Sequence, residues 1–436
     1  MTSSRQYPFL AKVFRPALAV LAGMLVLTMI DASTAQAQTY TVIHTFTGGA
    51  DGGAPLGGLT MDAQGNLYGT TAGYEQPCGS KCGTVFKMKP TGQGWVLTTL
   101  YTFSGGSDGG NPEAPVVFGP DGALYSTTAY GGTNCPSDDQ YHYGCGTVIR
   151  LAPPARPCRS ILCPWQESVL YSFVGGSNDG AFPLNAVTFD QAGNLLGTTF
   201  SGGIYTSNCY YGYDWCGAIF KLTHANGSWT ESVPHIFTGG DDGANPVAAL
   251  IPDASGNFYG VAEANGAGNG GTAFELTPSG SGWTMNTLYS FPGADFPRGT
   301  LIFDPAGNLY GTTEYGGLYP NEGGTVFEMT PSGGGWSFNQ LYALPGFLQN
   351  GPLAGVVRDS AGNLYGTGSE LGSGNTGIIF KLTPSEGGWT YTLLHQFGIT
   401  DGDFPSGNLV LDSHGNLYGT AGGGADGWGV VWEITP

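Results

Sequence analysis

A short motif of the type Gly-Asn-Leu-Tyr-Gly recurs seven times along this 436-residue chain. Successive copies are 57, 71, 63, 51, 55 and 53 residues apart. The copies begin at Gly65, Gly122, Gly193, Gly256, Gly307, Gly362 and Gly415. A period of this length over most of a chain indicates a repeat architecture, in which each unit packs on its neighbours.

Each unit has the pattern of four short β-strands, as the copy at Gly307 illustrates. We predict an apolar first strand at 299–304 and a second strand at 309–313, joined by a tight turn. A third strand at 324–330 and a fourth at 336–344 follow. The 77 glycines and 28 prolines of the chain leave little room for long helices.

The two ends of the repeat region complement each other. Residues 39–46 match a fourth strand, such as the one at 98–103, and precede the first complete unit. Residues 429–436 match a third strand, so the last unit lacks its fourth. We therefore predict an all-β fold over 38–436, a single seven-bladed β-propeller whose N-terminal strand at 39–46 completes the last blade. Such closure removes exposed sheet edges.

The segment 1–37 has the features of a secretory signal peptide. Three basic residues precede an apolar stretch at 16–30, and Ala-Gln-Ala at 35–37 fits a cleavage site. An uncleaved anchor helix is the alternative. The formal charge of −19 argues against nucleic-acid binding. We expect a secreted, extracellular or periplasmic monomer, without membrane insertion after cleavage.

The eight cysteines are near neighbours in sequence. An even number of cysteines in an exported chain predicts disulfides, and zinc is the alternative. The predicted local pairs are Cys78 with Cys82, Cys135 with Cys145, Cys158 with Cys163, and Cys209 with Cys216.

Together the repeated segments GNLYGTT, GTVF(K/E)(L/M)TP, LYSF and GG-x-DG-x-x-P resemble the GloVer (Gloeo-Verruco) tandem repeat of exported bacterial proteins. The resemblance covers the whole chain after residue 37. Local departures are Leu196, Ala123 and Ser126. It implies an extracellular protein, often anchored at the surface, and supplies no catalytic residues.

The strand order assigns the loops to two faces of the predicted ring. The short first-to-second and third-to-fourth turns define a plain face, and the longer second-to-third and fourth-to-first loops define a loop-rich face. In six units the fourth-to-first loop carries an aspartate. A ring of carboxylates near the axis could bind Ca²⁺, or each could cap its own turn. The six residues are Asp51, Asp108, Asp179, Asp242, Asp295 and Asp401.

Aromatic residues collect in the second-to-third loops. Their rings could stack on sugars or simply cover the glycine-rich loops. The candidate ligand-binding residues are Tyr74, Tyr130, Tyr211, Trp215 and Tyr315. His44, His235 and His395 occupy a fourth-strand position that holds tyrosine in other units, and we expect them to pack there.

These features favour a binding protein whose ligand is a glycan or a partner protein at an extracellular surface, with no cofactor except possible Ca²⁺. The alternative is a carbohydrate-active or lactone-hydrolysing enzyme. Its candidate carboxylates are Glu263, Glu314 and Glu370, which follow the second strands of neighbouring units. The same three residues could instead be solvated loop charges.

Overall fold

The computed structural model describes residues 38–73, 82–133, 135, 144–154, 164–207, 209, 215–293, 295–317, 323–346 and 350–436. The predicted signal peptide lies outside the described residues. The chain divides into two units, and the larger, Tyr40–Thr435, is the repeat domain; Met1–Thr39 with Pro436 form the other. Within the described ranges the protein contains strands, turns and bends but no helix. None of these residues belongs to a helix long and apolar enough to span a bilayer.

The repeat domain is a seven-bladed β-propeller of small antiparallel sheets, which confirms the predicted fold class. Strand β1 spans Thr39–Thr45. Blade 1 contains β2 (Leu59–Met61), β3 (Leu67–Thr71), β4 (Thr84–Thr91) and β5 (Gly94–Thr102). Blade 2 contains β6 (Val117–Phe118), β7 (Leu124–Thr128), β8 (Thr147–Ala152) and β9 (Gln166–Ser172). Blade 3 contains β11 (Thr188–Phe189), β12 (Leu195–Thr199), β14 (Ala218–Ala225) and β15 (Ser228–Ile236), beside the short pair β10 (Gly180–Ala181) and β13 (Ser201–Gly202).

The remaining blades repeat this order. Blade 4 contains β16 (Ala244–Pro246), β17 (Ile251–Pro252), β18 (Phe258–Ala264), β19 (Asn269–Ser279) and β20 (Gly282–Pro292). Blade 5 contains β21 (Ile302–Phe303), β22 (Leu309–Thr313), β23 (Thr325–Ser332) and β24 (Gly335–Ala343). Blade 6 contains β25 (Val357–Arg358), β26 (Leu364–Gly368), β27 (Ile378–Ser385) and β28 (Gly388–Gln396). Blade 7 contains β29 (Val410–Leu411), β30 (Leu417–Ala421) and β31 (Val430–Thr435).

Strand β1 completes blade 7, as the sequence predicted. The sheet order is β1-β31-β30-β29, so the first strand of the repeat domain pairs with the last. The Phe46 amide also donates to the Gly429 carbonyl at 3.0 Å. The ring is therefore closed by main-chain hydrogen bonds between the two ends of the domain.

The recurring motif forms the hairpin between the first and second strands of a blade. In blade 1 the Asp62 carboxylate accepts hydrogen bonds from the Gln64 and Asn66 amides, both at 2.9 Å, and from the Asn66 side chain at 2.7 Å. Gly65 has a φ of 76°, which a residue with a Cβ adopts only at a cost. The Tyr68 hydroxyl donates to the same aspartate at 3.1 Å. The motif is thus a capped turn on the plain face.

The hydrophobic core is divided into seven clusters, one at each interface between neighbouring blades. The cluster between blades 7 and 1, for example, joins Phe46 and Val431 to Leu59, Leu67 and Phe86. Second strands are buried along their length except for the half-buried Tyr365 of β26, whereas fourth strands consist mainly of exposed and half-buried residues and form the outer edge. Each blade is therefore stabilised by its neighbours rather than by a core of its own.

A repeated contact joins the loop-rich ends of adjacent blades. The proline of each fourth-to-first loop packs on the glycine that begins the preceding blade's third strand, as Pro112 does on Gly83. The residue before that proline donates its amide across the same interface, so that Asn111 bonds the Cys82 carbonyl at 2.7 Å. At the ring closure Ala54 bonds the Trp428 carbonyl at 2.8 Å. We call this arrangement the inter-blade latch.

Two predicted disulfides are confirmed. Cys135 pairs with Cys145 and Cys209 with Cys216, with Cα atoms 5.5 and 5.0 Å apart. Cys82 is also disulfide-bonded. Cys78, Cys158 and Cys163 lie outside the described residues. Each observed bridge closes a short loop beside an inter-blade latch, because the Cys145 and Cys216 carbonyls accept latch hydrogen bonds.

Candidate functional site

The segments that lead into the first strands of all seven blades line a cavity of about 310 Å³, which we call the central cavity. Its lining residues directly follow the fourth-to-first loops, so the cavity lies toward the loop-rich face. Each blade places one residue after its latch proline here. In blade order these are Leu56, Glu113, Leu184, Val247, Arg298, Leu353 and Ser406.

Arg298 of blade 5 carries a positive charge, unlike the other six residues of this set. Its Nε atom lies 2.6 Å from Glu314 Oε2 and 3.2 Å from Glu263 Oε2. The two carboxyl oxygens are therefore within about 6 Å of each other, although they belong to different blades. Neither contact has the alignment of a hydrogen bond, so both are ion pairs. The cluster joins blades 4 and 5 at the cavity wall.

The members of this cluster differ in how far their side chains are exposed to solvent. The Arg298 side chain is 34% exposed, whereas those of Glu263 and Glu314 are 3% and 6% exposed. Burial raises the pKa of Glu263 to about 7, against an opposing effect of Arg298. Burial likewise raises the pKa of Glu314. The Arg298 side chain consequently lies at the cavity surface. The carboxyl groups of Glu263 and Glu314, both with a raised pKa, contact it from its buried side.

Glu370, the third predicted carboxylate, lies on the blade 6 side of the same cluster. The Asn350 amide donates to its Oε2 atom at 3.3 Å, and its charge contributes to the raised pKa of Glu314. The Tyr315 hydroxyl donates to the Asn350 side chain. Burial and the neighbouring Glu314 raise the pKa of Tyr315 to about 12. The structure thus brings all three candidate glutamates together with one candidate aromatic residue.

The six loop aspartates lie against the outermost strands of the ring. Five of them accept hydrogen bonds from amides of their own loops, for example Asp51 from Thr47 at 3.0 Å and Asp179 from Val174 at 2.7 Å. Asp108, Asp242 and Asp401 make equivalent contacts. Burial raises the pKa of the sixth, Asp295, to about 6.

Among the described residues, no three His, Cys, Asp or Glu side chains form a group that could hold a metal ion. The capping role accounts for these five aspartates without an ion. A calcium site at the loop aspartates stays a prediction.

The fourth-strand histidines have a role beyond packing. His235 and His395 each lie 3.1 Å from the aspartate of the loop that follows, Asp242 and Asp401. Tyr101 makes the same contact with Asp108 at 3.0 Å. Both histidine and tyrosine occur at this position because each places a polar atom within hydrogen-bond distance of the capping aspartate.

The other candidate aromatic residues are dispersed around the loop-rich face. Tyr130 packs edge-on against Phe182, and Trp215 against Tyr205. Neither belongs to the cluster at Arg298. Tyr74 and Tyr211 lie outside the described residues.

A sequence-family model matches the chain over residues 28–211, 137–350 and 320–436. The model describes the Gloeobacter/Verrucomicrobia repeat. The chain belongs to this family. None of the curated proteins matches the sequence.

Solved structures resemble this Gloeobacter/Verrucomicrobia repeat protein in fold. A fungal alcohol oxidase of the AA5 family, in complex with copper, superposes with a TM-score of 0.53 at 12% identity over 92% of this chain and 77% of its own. The extracellular domain of a putative one-component system from B. thetaiotaomicron gives 0.50 at 10% identity, over 91% of this chain and 40% of its own. At such identities the likeness extends to the propeller fold alone.

Arg298 is the residue that the sequence analysis missed. Its signal lies in the aligned fourth-to-first loops, where the residue after the proline is otherwise apolar, acidic or a serine. An arginine at that position stands out in a chain with 13 basic residues. The constant residues of the repeat mark its strands and turns, whereas Arg298 stands at a position that varies from blade to blade.

Proposed function

We propose that this protein is an exported carbohydrate-binding propeller whose site is the central cavity and the loop-rich face around it. The observation that carries the proposal is Arg298, held by two buried carboxyls of different blades and exposed to a cavity that all seven blades line. An arginine in a fixed orientation donates to sugar hydroxyls. Leucine and valine side chains beside it offer the apolar surface that sugar rings also need.

Export is supported by the disulfides, which form and persist in oxidising compartments. It is also supported by the sequence pattern of residues 1–37. The ligand is then a glycan outside the cytoplasm. If no glycan binds and the loop-rich face instead binds one defined protein, the ligand is a partner protein.

The proposal is tested by screening the protein against a panel of neutral, acidic and amino oligosaccharides, followed by calorimetry on each ligand found. Arg298→Leu is expected to weaken binding at least tenfold. Arg150→Leu is the matched control, because Arg150 pairs with Asp121 on the plain face at 2.6 Å. Binding that survives Arg298→Leu unchanged would place the site elsewhere.

A second candidate function is hydrolysis of a glycoside or lactone. The observation that favours it is the pKa of Glu263, which burial raises to about 7, the range of a general acid or base. Against it, the Arg298 guanidinium occupies the space between Glu263 and Glu314, where a scissile bond would have to lie. Hydrolytic activity that is lost in Glu263→Gln and retained in Glu275→Gln would favour the enzyme over the binding protein.

A further inference from the structure

Glu113 is the one acidic residue among the seven that follow the latch position, and it lines the central cavity. The other blades carry leucine, valine, arginine or serine at this position. The Glu113 side chain is half-buried in the cavity wall. The cavity therefore places a carboxyl group among aliphatic, amide and hydroxyl side chains, and Arg298 is the cation among its described lining residues.

One oxygen of the Glu113 carboxyl group is held in place by Asn111. The Asn111 Nδ2 atom donates to Oε1 of Glu113 at 2.5 Å, and its Oδ1 atom accepts from the Gly73 amide at 3.0 Å. The equivalent residue of blade 4, Asn245, instead donates its side chain to two main-chain carbonyls, at 2.9 and 3.1 Å. In blade 2 the asparagine side chain therefore orients a carboxyl group at the cavity wall.

The Glu113 carboxyl group has no cationic partner within the described part of the chain, and Asn111 is the side chain that bonds it. Glu263 and Glu314 differ, because Arg298 lies 3.2 and 2.6 Å from them. Burial raises the pKa of Glu113, and the hydrogen bond from Asn111 opposes this effect. Removing a carboxylate from water without a cation costs free energy, and such groups are typical of functional sites. A ligand with a positive charge would supply the missing partner.

We propose that Glu113 binds the ammonium group of an amino sugar, so that the central cavity takes the terminal unit of an oligosaccharide with a free amine. An ammonium group donates up to three hydrogen bonds and carries the charge that Glu113 lacks beside it. Such charge-assisted hydrogen bonds are about twice as strong as neutral ones. A cavity of about 310 Å³ is at the lower limit for small-molecule sites, which suits one sugar unit. The inference rests on the proposed carbohydrate binding and adds its ligand class.

The positive charge of Arg298 is compatible with an ammonium group at Glu113. Glu113 belongs to blade 2 and Arg298 to blade 5, and three blades is the largest separation in a ring of seven. The carboxyl groups of Glu263 and Glu314 also lie against Arg298 and offset its charge. The formal charge of −19 favours a cationic ligand over an anionic one. A sugar unit whose amine pairs with Glu113 thus has its hydroxyls available to Arg298.

The test is calorimetric titration near neutral pH with the β-1,4-linked tetrasaccharides of glucosamine, glucose and N-acetylglucosamine, which differ only in the substituent at C2. We expect wild type to bind the glucosamine tetrasaccharide about tenfold more tightly than the other two, equivalent to about 1.4 kcal/mol. Glu113→Gln keeps the size of the side chain and should remove this preference. Glu328→Gln is the matched control and should retain it, because Glu328 accepts from the Tyr310 hydroxyl toward the plain face at 2.6 Å.

Equal binding of the three tetrasaccharides by wild type, weakened in Arg298→Leu, would overturn the role of Glu113 and leave the proposed function standing. A preference for glucosamine that persists in Glu113→Gln would reflect attraction to the acidic surface and would also overturn this role alone. Failure to bind any oligosaccharide would overturn both. Binding of N-acetyl-lysine amide without any oligosaccharide would likewise overturn both and indicate a lysine of a partner protein.

If Glu113→Gln does not fold, Leu184→Phe decides the question. Leu184 lines the same cavity, and a larger side chain there reduces the space for a sugar unit while Glu113 stays in the chain. We expect this variant to lose the preference for glucosamine. An unchanged preference would place the amine outside the cavity and contradict the proposal.

Discussion

Arg298 holds one positive charge against carboxyls from two blades. The pair Glu263 and Glu314 is almost completely buried, so the cluster has more negative than positive charge in a region of low polarity. Burial disfavours the charged form of Glu263 and is the main cause of its raised pKa, with Arg298 opposing the effect and Glu314 adding to it. The orientation of Arg298 therefore depends on two carboxyls with raised pKa values, of which that of Glu263 is about 7.

Glu263→Gln is expected to make stability less dependent on pH. In the folded protein the pKa of Glu263 rises from 4.5 to about 7. A raised carboxyl pKa favours the folded state at low pH, and that contribution is lost as the pH rises from about 4.5 to about 7. The loss amounts to about 3 kcal/mol. Thermal unfolding measured at pH 4.5 and 7.5 should show a smaller decrease in Tm for the variant than for wild type.

Glu275→Gln controls for the loss of one carboxyl in the same blade, since Glu275 accepts from Tyr259 toward the plain face at 2.8 Å. An identical decrease in Tm for wild type and Glu263→Gln would show that Glu263 does not titrate in this range. Other titratable or charged groups lie close to Glu263 or to its neighbour Glu314, namely Arg298, Glu370 and Tyr315. The variant therefore also reports on the electrostatic coupling between Glu263 and these groups.

The inter-blade latch is the repeated element of the loop-rich face. We expect Gly83→Ala to destabilise the protein by about 3 kcal/mol or more, because its Cβ would lie 2.3 Å from the Thr71 carbonyl and 2.5 Å from Pro112. Gly65→Ala has a similar positive φ but no atom within 4 Å of the new Cβ, and should cost about 1 kcal/mol. Chemical denaturation of the two variants measures the difference. Equal losses of stability in the two variants would mean that the close contacts at Gly83 add no destabilisation beyond the strain of a positive φ.

The fourth-to-first loops give a second prediction at this scale. Because five of the six aspartates already accept hydrogen bonds from their own loops, Tm should be the same with and without a calcium chelator. The measurement is differential scanning calorimetry with EDTA and with added Ca²⁺. A rise in Tm with Ca²⁺ that Asp295→Asn abolishes would instead establish a metal site at the loop of Asp295, whose pKa burial raises to about 6.

At the scale of the whole molecule, the ring was predictable because every unit repeats the same local chemistry. The spacing of the Gly-Asn-Leu-Tyr-Gly copies and the surplus strand at residue 39 were sufficient to predict seven blades and their closure. The predicted ends of the strands were less accurate than their predicted number and order. The first strand of blade 5 was predicted at 299–304 and spans Ile302–Phe303, because Gly299 and Thr300 line the central cavity instead of pairing within the blade.

The candidate site was predictable only in part, because it is built from residues that break the repeat. Glu263, Glu314 and Glu370 were found as acidic residues after second strands of neighbouring units. Arg298 was not, since a one-dimensional repeat does not show which variable residues meet across an interface. Arg298 of blade 5 meets Glu263 of blade 4 across such an interface, at 3.2 Å.

We propose that the loop-rich face around the central cavity binds carbohydrate. The most direct test is a crystal structure of the protein with a bound oligosaccharide. We expect the oligosaccharide in the central cavity, with a hydroxyl within hydrogen-bond distance of Arg298 or another cavity-lining residue. An oligosaccharide bound on the plain face or along the outer strands, with the central cavity unoccupied, would contradict carbohydrate binding at this site.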